Sequence, residues 1–422
     1  MGSGLSSKFK GLSLPNILRQ MGIFPFFRVL ESSEATHAGY MNKNLIMMGS
    51  NNYLGLTHHP EVVEASIQAI KKWGTGCTGS RFLNGNLSLH TKLEKQLADF
   101  FGYEDSLVFS TGYMANEGAI SSVVGTSDFI FSDKDNHASI VEGNQLSGAK
   151  MLRYRHLDMA DLEAKLNTVP REAGKLIITD GVFSMSGAIA PYDQIHALAK
   201  KYNAHTYVDE AHGVGVLGPG GRGAAAQYGL KPDYLMGTFS KSLASQGGFV
   251  CGSKEAIDWM RLKARTMMFS AALAPASVAA AEKSLEILIE SPQMVNDLKM
   301  KSDYFRERMK AKGLNVIDSQ TSIVSVLIGD DTEALAMSKK LENDGVFATP
   351  VLSPAVPRGR TLIRCSVIAT HKFSDLDAVA EIFAKNIQSL KSKDKPSTAS
   401  LHAMMDDGLT PEQVHSYLGA QL

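Results

Sequence analysis

From Leu107 to Cys251 the chain repeats one pattern: short β-branched and aromatic runs alternate with stretches whose apolar residues recur at helical spacing. Strands joined by crossover helices in a mostly parallel sheet account for it. The candidate strands are Leu107–Ser110, Phe129–Phe131, Leu176–Thr179, Thr206–Val208, Tyr234–Met236 and Phe249–Cys251. Most are continuous apolar runs, as expected of strands covered on both faces. Between them, segments such as Asp193–Tyr202 read as helices. The pattern changes after about Ala280 to a long helical stretch, a strand at Ser322–Ile328, a helix near Glu333–Asp344, strands at Val346–Ala348 and Thr361–Ser366, and a closing helix after Ser374. The predicted organisation is an N-terminal segment (1–58), a large α/β domain (59–285), a smaller C-terminal α+β domain (286–390), and a linker and tail (391–422). In that tail Thr410-Pro411-Glu412-Gln413 carries the cap, N1 proline and capping-box glutamine of a short helix.

A chain of 422 residues has room for two or three domains with large cores. Its 43 basic and 43 acidic side chains cancel, so it lacks the electrostatic footprint of a nucleic-acid binder. Cys77, Cys251 and Cys365 are too scattered for a disulfide framework or a CxxC metal site, which fits a reducing compartment and no metal. No apolar run is long enough to span a bilayer and no signal peptide precedes the first domain, so the expected location is the cytoplasm. The start, Met1-Gly2-Ser3-Gly4-Leu5-Ser6, matches a myristoylation pattern. The apolar cluster Ile23-Phe24-Pro25-Phe26-Phe27-Arg28-Val29-Leu30 is expected to pack on the core or on a partner subunit, with a peripheral contact to the inner membrane as the alternative.

Two motifs mislead. Asp209-Glu210-Ala211-His212 spells a helicase box, but no GxxxxGK[ST] phosphate loop accompanies it. Gly213-Val214-Gly215-Val216-Leu217-Gly218 fits a dinucleotide fingerprint, yet Pro219 and further glycines follow, which predicts a loop in place of the required helix. HExxH, GxSxG and clustered Cys/His patterns are absent from the sequence.

What remains is a set of polar residues at successive strand ends. Asp209 and His212 end one predicted strand, and Lys241 lies 32 positions after Asp209, beyond the next strand. Both can therefore reach the carboxyl edge of one sheet, where open α/β folds bind ligands. Thr238, Ser240, Ser242, Gly247 and Gly248 leave room beside Lys241 and offer hydroxyls to a phosphate. Pyridoxal 5'-phosphate asks for these groups: a lysine for a Schiff base, a carboxylate beside the pyridine nitrogen, and N–H groups at a helix N-terminus for the phosphate. Ser110-Thr111-Gly112-Tyr113 is placed to supply the last, and His137 in Asp135-Asn136-His137-Ala138-Ser139 to stack on the ring.

Up to about Ser389 the sequence resembles the α-oxoamine synthases, fold-type I pyridoxal-phosphate enzymes that condense an amino acid with an acyl-CoA and release carbon dioxide. The motifs that carry the resemblance are Asn51-Asn52-Tyr53-Leu54-Gly55, Gly76-Cys77-Thr78-Gly79-Ser80-Arg81, Asn136-His137-Ala138-Ser139, Asp180-Gly181-Val182-Phe183-Ser184-Met185, Val208-Asp209-Glu210-Ala211-His212 and Gly237-Thr238-Phe239-Ser240-Lys241-Ser242. Gly79–Gly85, Lys241–Ser245 and Ser353-Pro354-Ala355-Val356-Pro357 are most similar to soluble bacterial members that use L-serine and a long-chain acyl-CoA. The resemblance implies that Lys241 carries the cofactor and acts as base, Asp209 pairs with the pyridinium, and His212, assisted by Ser184, bonds to the phenolic oxygen. It implies that His137 stacks on the ring and orients the substrate, and that Thr238, Ser240, Gly112 and Tyr113 hold the phosphate. Ser270 and Ala271 would reach in from the second subunit of a homodimer. Arg364 would bind the amino-acid carboxylate, in the company of Asn52 and Ser80.

Two positions depart from the family pattern: Ser186 stands where many relatives carry an acidic residue, and Leu352 where some carry an arginine. Members that use glycine or alanine share the same residues, so aminoketobutyrate, aminolevulinate and amino-oxononanoate synthesis are the alternatives. A catalytically silent subunit is a further reading, opposed by the presence of Lys241, Asp209, His137 and His212.

Overall fold

The computed structural model describes residues 4–7, 9, 13–20 and 22–391. Gly2 and the helix expected after Thr410 lie outside the described residues. Seven strands form the central sheet: β1 Asp105–Phe109, β2 Phe129–Asp133, β3 Lys150–Tyr154, β4 Lys175–Asp180, β5 His205–Asp209, β6 Tyr234–Thr238 and β7 Gly248–Gly252. Their spatial order is β1-β7-β6-β5-β4-β2-β3. The six predicted strands are all present, and β4 is buried along its whole length, as its apolar run requires.

Two features differ from expectation. β7 runs antiparallel to both its neighbours, β1 and β6. Only residues 239–247 separate it from β6, too few for the crossover a parallel pair needs. The sequence did not reveal β3, because it is an edge strand with mixed polarity, KMLRY, and half-exposed residues.

The C-terminal part contains an antiparallel sheet of Ile323–Gly329, Thr361–Ser366 and Thr349–Val351. The long helical stretch resolves into two helices, Pro275–Glu290 and Gln293–Ala311, broken at Ser291-Pro292, where proline lacks the N–H that would continue the ladder. An N-terminal hairpin, His37–Tyr40 with Lys43–Met47, turns through Met41 and Asn42 at φ 50° and 60° and pairs in parallel with Val346–Phe347. This joins the start of the chain to its C-terminal part and brings residues 51–53 close to Thr361–Ser366, where Ser366 donates its N–H to the Met48 carbonyl.

Within the N-terminal apolar cluster, Ile23 packs with Ile17, Leu18 and Leu335, while Phe27 is 90% exposed and Val29 80%. Among the described residues no helix is long and apolar enough to cross a membrane, and no group of side chains could hold a metal ion.

Candidate active site

Strands β4, β5 and β6 end at one edge of the sheet, and their last residues, Asp180, Asp209 and Thr238, border a single cavity of about 320 Å³. Gly112, Tyr113, His137, Ser184, His212, Ser240 and Lys241 line it too. Eight of the residues predicted for the cofactor are therefore brought together with Lys241 itself. Asn52, Ser80, Ser270, Ala271 and Arg364 stand outside the lining of this cavity: Asn52 donates to the Thr57 hydroxyl at 2.8 Å, Ser80 is buried, the Ala271 carbonyl accepts from Ser110 at 2.6 Å, and Arg364 reaches the cavity wall only through the Ser184 carbonyl.

Helix α1, Gly112–Val123, begins at this edge, capped by the Thr111 hydroxyl, which accepts the Met114 N–H at 3.0 Å. Its first-turn N–H groups, at Gly112 and Tyr113, have no partner within the helix and face a cavity that also offers the Thr238 and Ser240 hydroxyls, 2.9 Å apart. Gly112 is needed here for space: a Cβ would lie 2.9 Å from the Thr238 Oγ1. This cradle fits a phosphate group, and the carboxylate and amine beyond it fit the rest of pyridoxal phosphate.

Asp209 is 4% exposed. One carboxylate oxygen accepts from Asn116 Nδ2 at 2.7 Å and the other from the Ala211 N–H at 2.8 Å. Asn116 in turn accepts from the buried Tyr207 hydroxyl at 2.9 Å and donates to Ser139 at 2.9 Å. These contacts fix the carboxylate's orientation. The sequence reading missed Asn116, which sits one helical turn into α1 on an otherwise apolar face; only its polarity among buried neighbours marked it.

Burial lowers the Lys241 amine to a pKa of about 8, against the opposing pull of Asp209 and Asp180 and with help from Arg364. Asp180 is held well above the carboxylate range by burial and by Asp209, and its Oδ2 accepts the His137 N–H at 3.2 Å. His137 caps helix α2, Ala138–Ser147: its Nδ1 accepts from the Ser139 N–H at 3.3 Å, which leaves Nε2 to carry the ring hydrogen at the cavity mouth. Desolvation lowers its pKa, so the ring is neutral near pH 7. Tyr113 meets it edge-on at 6.2 Å.

Glu210 points away from the cavity. It is fully buried, accepts the N–H groups of Ala224 and Ala225, and burial raises its pKa to about 7. It thereby ties down the turn at Gly213–Gly218, in which no helix opens, as the sequence predicted.

Arg364 comes from the C-terminal sheet. Its guanidinium donates to the Ser184 carbonyl at 2.6 Å, Ser366 Oγ at 2.9 Å, Asn51 Oδ1 at 3.0 Å and the Tyr53 hydroxyl at 3.1 Å. Tyr53 also meets His212 Nδ1 at 2.6 Å. Of the positions that depart from the family, Ser186 accepts the Ala188 N–H at 3.1 Å, and Leu352 is a partly buried side chain packed on the apolar core.

Residues 43–383 match the family model for aminotransferase class I and II. The chain is 48% identical to a serine palmitoyltransferase of Bacteriovorax stolpii over 90% of this chain and 91% of that one. The chain belongs to the class I and II aminotransferase family, and within it to the α-oxoamine synthases. It is 43% identical to an 8-amino-7-oxononanoate synthase of Thermoanaerobacter pseudethanolicus over 87% of this chain and 94% of that relative. Among solved structures, one of SPT with a PLP internal aldimine superposes with a TM-score of 0.89 at 37% identity, covering 92% of this chain and 99% of that chain. A Sphingomonas wittichii serine palmitoyltransferase gives 0.89 at 35% over the same shares. An 8-amino-7-oxononanoate synthase from Francisella tularensis gives 0.71 at 26%, covering 82% of this chain and 98% of that one. The fold is thus the fold-type I pyridoxal-phosphate transferase fold, and the cofactor is pyridoxal phosphate.

Proposed function

We propose that this chain is a serine C-palmitoyltransferase, which condenses L-serine with palmitoyl-CoA to give 3-ketodihydrosphingosine, CoA and carbon dioxide. The observation that carries the substrate reading is the pair of likenesses to serine palmitoyltransferases, at 48% identity in sequence and a TM-score of 0.89 in structure, against 0.71 for the oxononanoate synthase. When bound, the cofactor supplies an electron sink for the bonds at the amino acid's α-carbon.

The chain's own residues do the rest. Lys241 would hold the cofactor covalently and, with its lowered pKa, take the α-proton. Asp209, fixed by Asn116, would keep the ring nitrogen protonated. Gly112, Tyr113, Thr238 and Ser240 would hold the phosphate, and the His212 ring would donate to the phenolic oxygen with Ser184 beside it. His137 would stack on the ring and donate its Nε2–H to the substrate and to charge developing on the thioester oxygen. Arg364 would anchor the carboxylate. The reading extends to a homodimer in which Ser270 and Ala271 complete the neighbouring site, with the protein in the cytoplasm; Asn52 and Ser80 would then act on substrate through the assembled dimer. Phe27 and Val29 mark where a contact with the inner membrane would fall, and unchanged vesicle binding after deletion of residues 1–30 would dismiss that contact.

Purified protein loaded with pyridoxal phosphate and given palmitoyl-CoA is expected to form the long-chain ketone base with L-serine. Turnover with glycine or L-alanine and none with serine would move the substrate and overturn this reading.

A further inference from the structure

Tyr53 is fully buried, and it lies outside the set of side chains that line the cavity. Its hydroxyl is nevertheless the one atom that touches both Arg364 Nη2, at 3.1 Å, and His212 Nδ1, at 2.6 Å, with Asn51 Oδ1 further off at 3.3 Å. An arginine N–H can only donate, so the hydroxyl oxygen accepts from Arg364. The single hydroxyl hydrogen then goes to the nearer acceptor, His212 Nδ1. With Nδ1 accepting, the ring hydrogen of neutral His212 sits on Nε2, directed as a donor to the cavity. Burial and the nearby cations Lys241 and Arg364 keep the ring neutral, and burial keeps the proton on Tyr53.

The donor count at Arg364 gives this chain of bonds a consequence. A guanidinium has five N–H donors. Among the described residues four are engaged, by Ser184, Ser366, Asn51 and Tyr53, and one on Nη1 remains. A bidentate grip on a carboxylate needs two, so the second must be drawn from Nη2, away from Asn51 or Tyr53.

We propose that Tyr53 is a positioning residue that couples carboxylate capture by Arg364 to the hydrogen bond His212 donates into the cavity. When Nη2 turns its Tyr53-directed N–H toward a carboxylate, the Tyr53 hydroxyl loses its cationic donor, its own bond to Nδ1 weakens, and the Nε2–H becomes a weaker donor. No proton changes owner. The inference rests on the roles given above to Arg364 and His212.

The test uses the holoenzyme, its visible absorption maximum without substrate, and a spectral titration with L-serine. Tyr53→Phe is expected to move the maximum and, because Nη2 no longer has to leave the hydroxyl, to lower the apparent Kd for serine by up to roughly tenfold, the effect of one hydrogen bond to a charged group that binding no longer breaks, while thermal unfolding reports that the fold is kept. Arg364→Lys, which retains the charge and loses the fork, is expected to move the unliganded maximum when Tyr53 is present and to leave it in place in the Tyr53→Phe background. An Arg364→Lys shift of equal size in both backgrounds, or in neither, overturns the coupling. Where Tyr53→Phe does not fold, saturating acetate decides, because it offers Arg364 a carboxylate without an amine: a maximum that acetate moves in the parent holoenzyme and leaves in place in Arg364→Lys supports the coupling, and one moved in both or in neither overturns it. Because the unliganded maximum involves no serine, failure of Arg364 as the carboxylate anchor shows separately, as an unchanged Kd in Arg364→Lys.

Discussion

The cavity and the arginine cluster bonded to its wall at Ser184 are built in opposite ways. The cofactor side is local: Asp180, Asp209 and Thr238 close three adjacent strands, and each following loop brings a second group, Ser184, His212 or Lys241, within six residues of its strand. The carboxylate side is assembled from afar: Arg364 meets Asn51, Tyr53 and Ser184 across separations of 313, 311 and 180 residues. The cofactor side needs only a correct sheet order, whereas the carboxylate side also needs the N-terminal hairpin to pair with Val346–Phe347 and the C-terminal sheet to dock. A variant on the first side should therefore damage chemistry at a point, and one on the second should disturb several contacts together.

The largest expected effect is on the cofactor side. Lys241→Ala removes the amine proposed as covalent attachment and base, and activity should fall about 10⁴-fold with the protein still folded, as judged by turnover and thermal unfolding. A residual rate within tenfold of the parent would dissolve the role of that side. Next is Arg364→Ala on the other side, which leaves the Ser184 carbonyl and the Tyr53 hydroxyl without their buried donor. The loss of charged hydrogen bonds, about 2–3 kcal/mol, predicts a rise in KM for serine of roughly 30- to 160-fold with the cofactor band retained; a change in kcat alone would show that the two sides are not separable in this way.

The pH dependence of cofactor uptake sharpens the comparison further. An amine whose folded pKa is lowered from 10.5 to about 8 gains its neutral, reactive form as pH rises through about 8. The rate at which apoprotein takes up pyridoxal phosphate should accordingly rise about tenfold from pH 7 to 9 and level off above, read from the visible band; a rise that continues to pH 10.5 would place Lys241 in a solvated setting. The smallest effect is that of Asn116→Ala, which takes one donor from Asp209 and should weaken cofactor retention about tenfold in dialysis, with little change in KM for serine. An equal effect on serine would link the sides through Asp209.

The same contrast explains what could be read in advance. Asp209, His212, His137 and Lys241 stood out because each lies within six residues of the end of a predicted strand, and a run buried on both faces marks a strand end without help from the rest of the chain. Asn116 did not stand out, and Asp180 stood in a motif without a role of its own: the place of both comes from burial beside Asp209, which a linear pattern does not register. The antiparallel β7 and the edge strand β3 were missed for related reasons, one a matter of loop length at a strand turn, the other a strand whose exposed face erases its apolar signature.

The sequence alone determined the repeated strand-and-helix order and which polar residues end neighbouring strands at one carboxyl edge, since backbone periodicity and the burial of apolar runs act over a few residues. Only the tertiary structure decided that Tyr53 lies between Arg364 and His212, that Arg364 retains one uncommitted N–H, and that Asn116 orients Asp209. Hydrogen bonds are short and directional, so which side chains meet across 300 residues is settled by how the sheets pack and not by spacing along the chain.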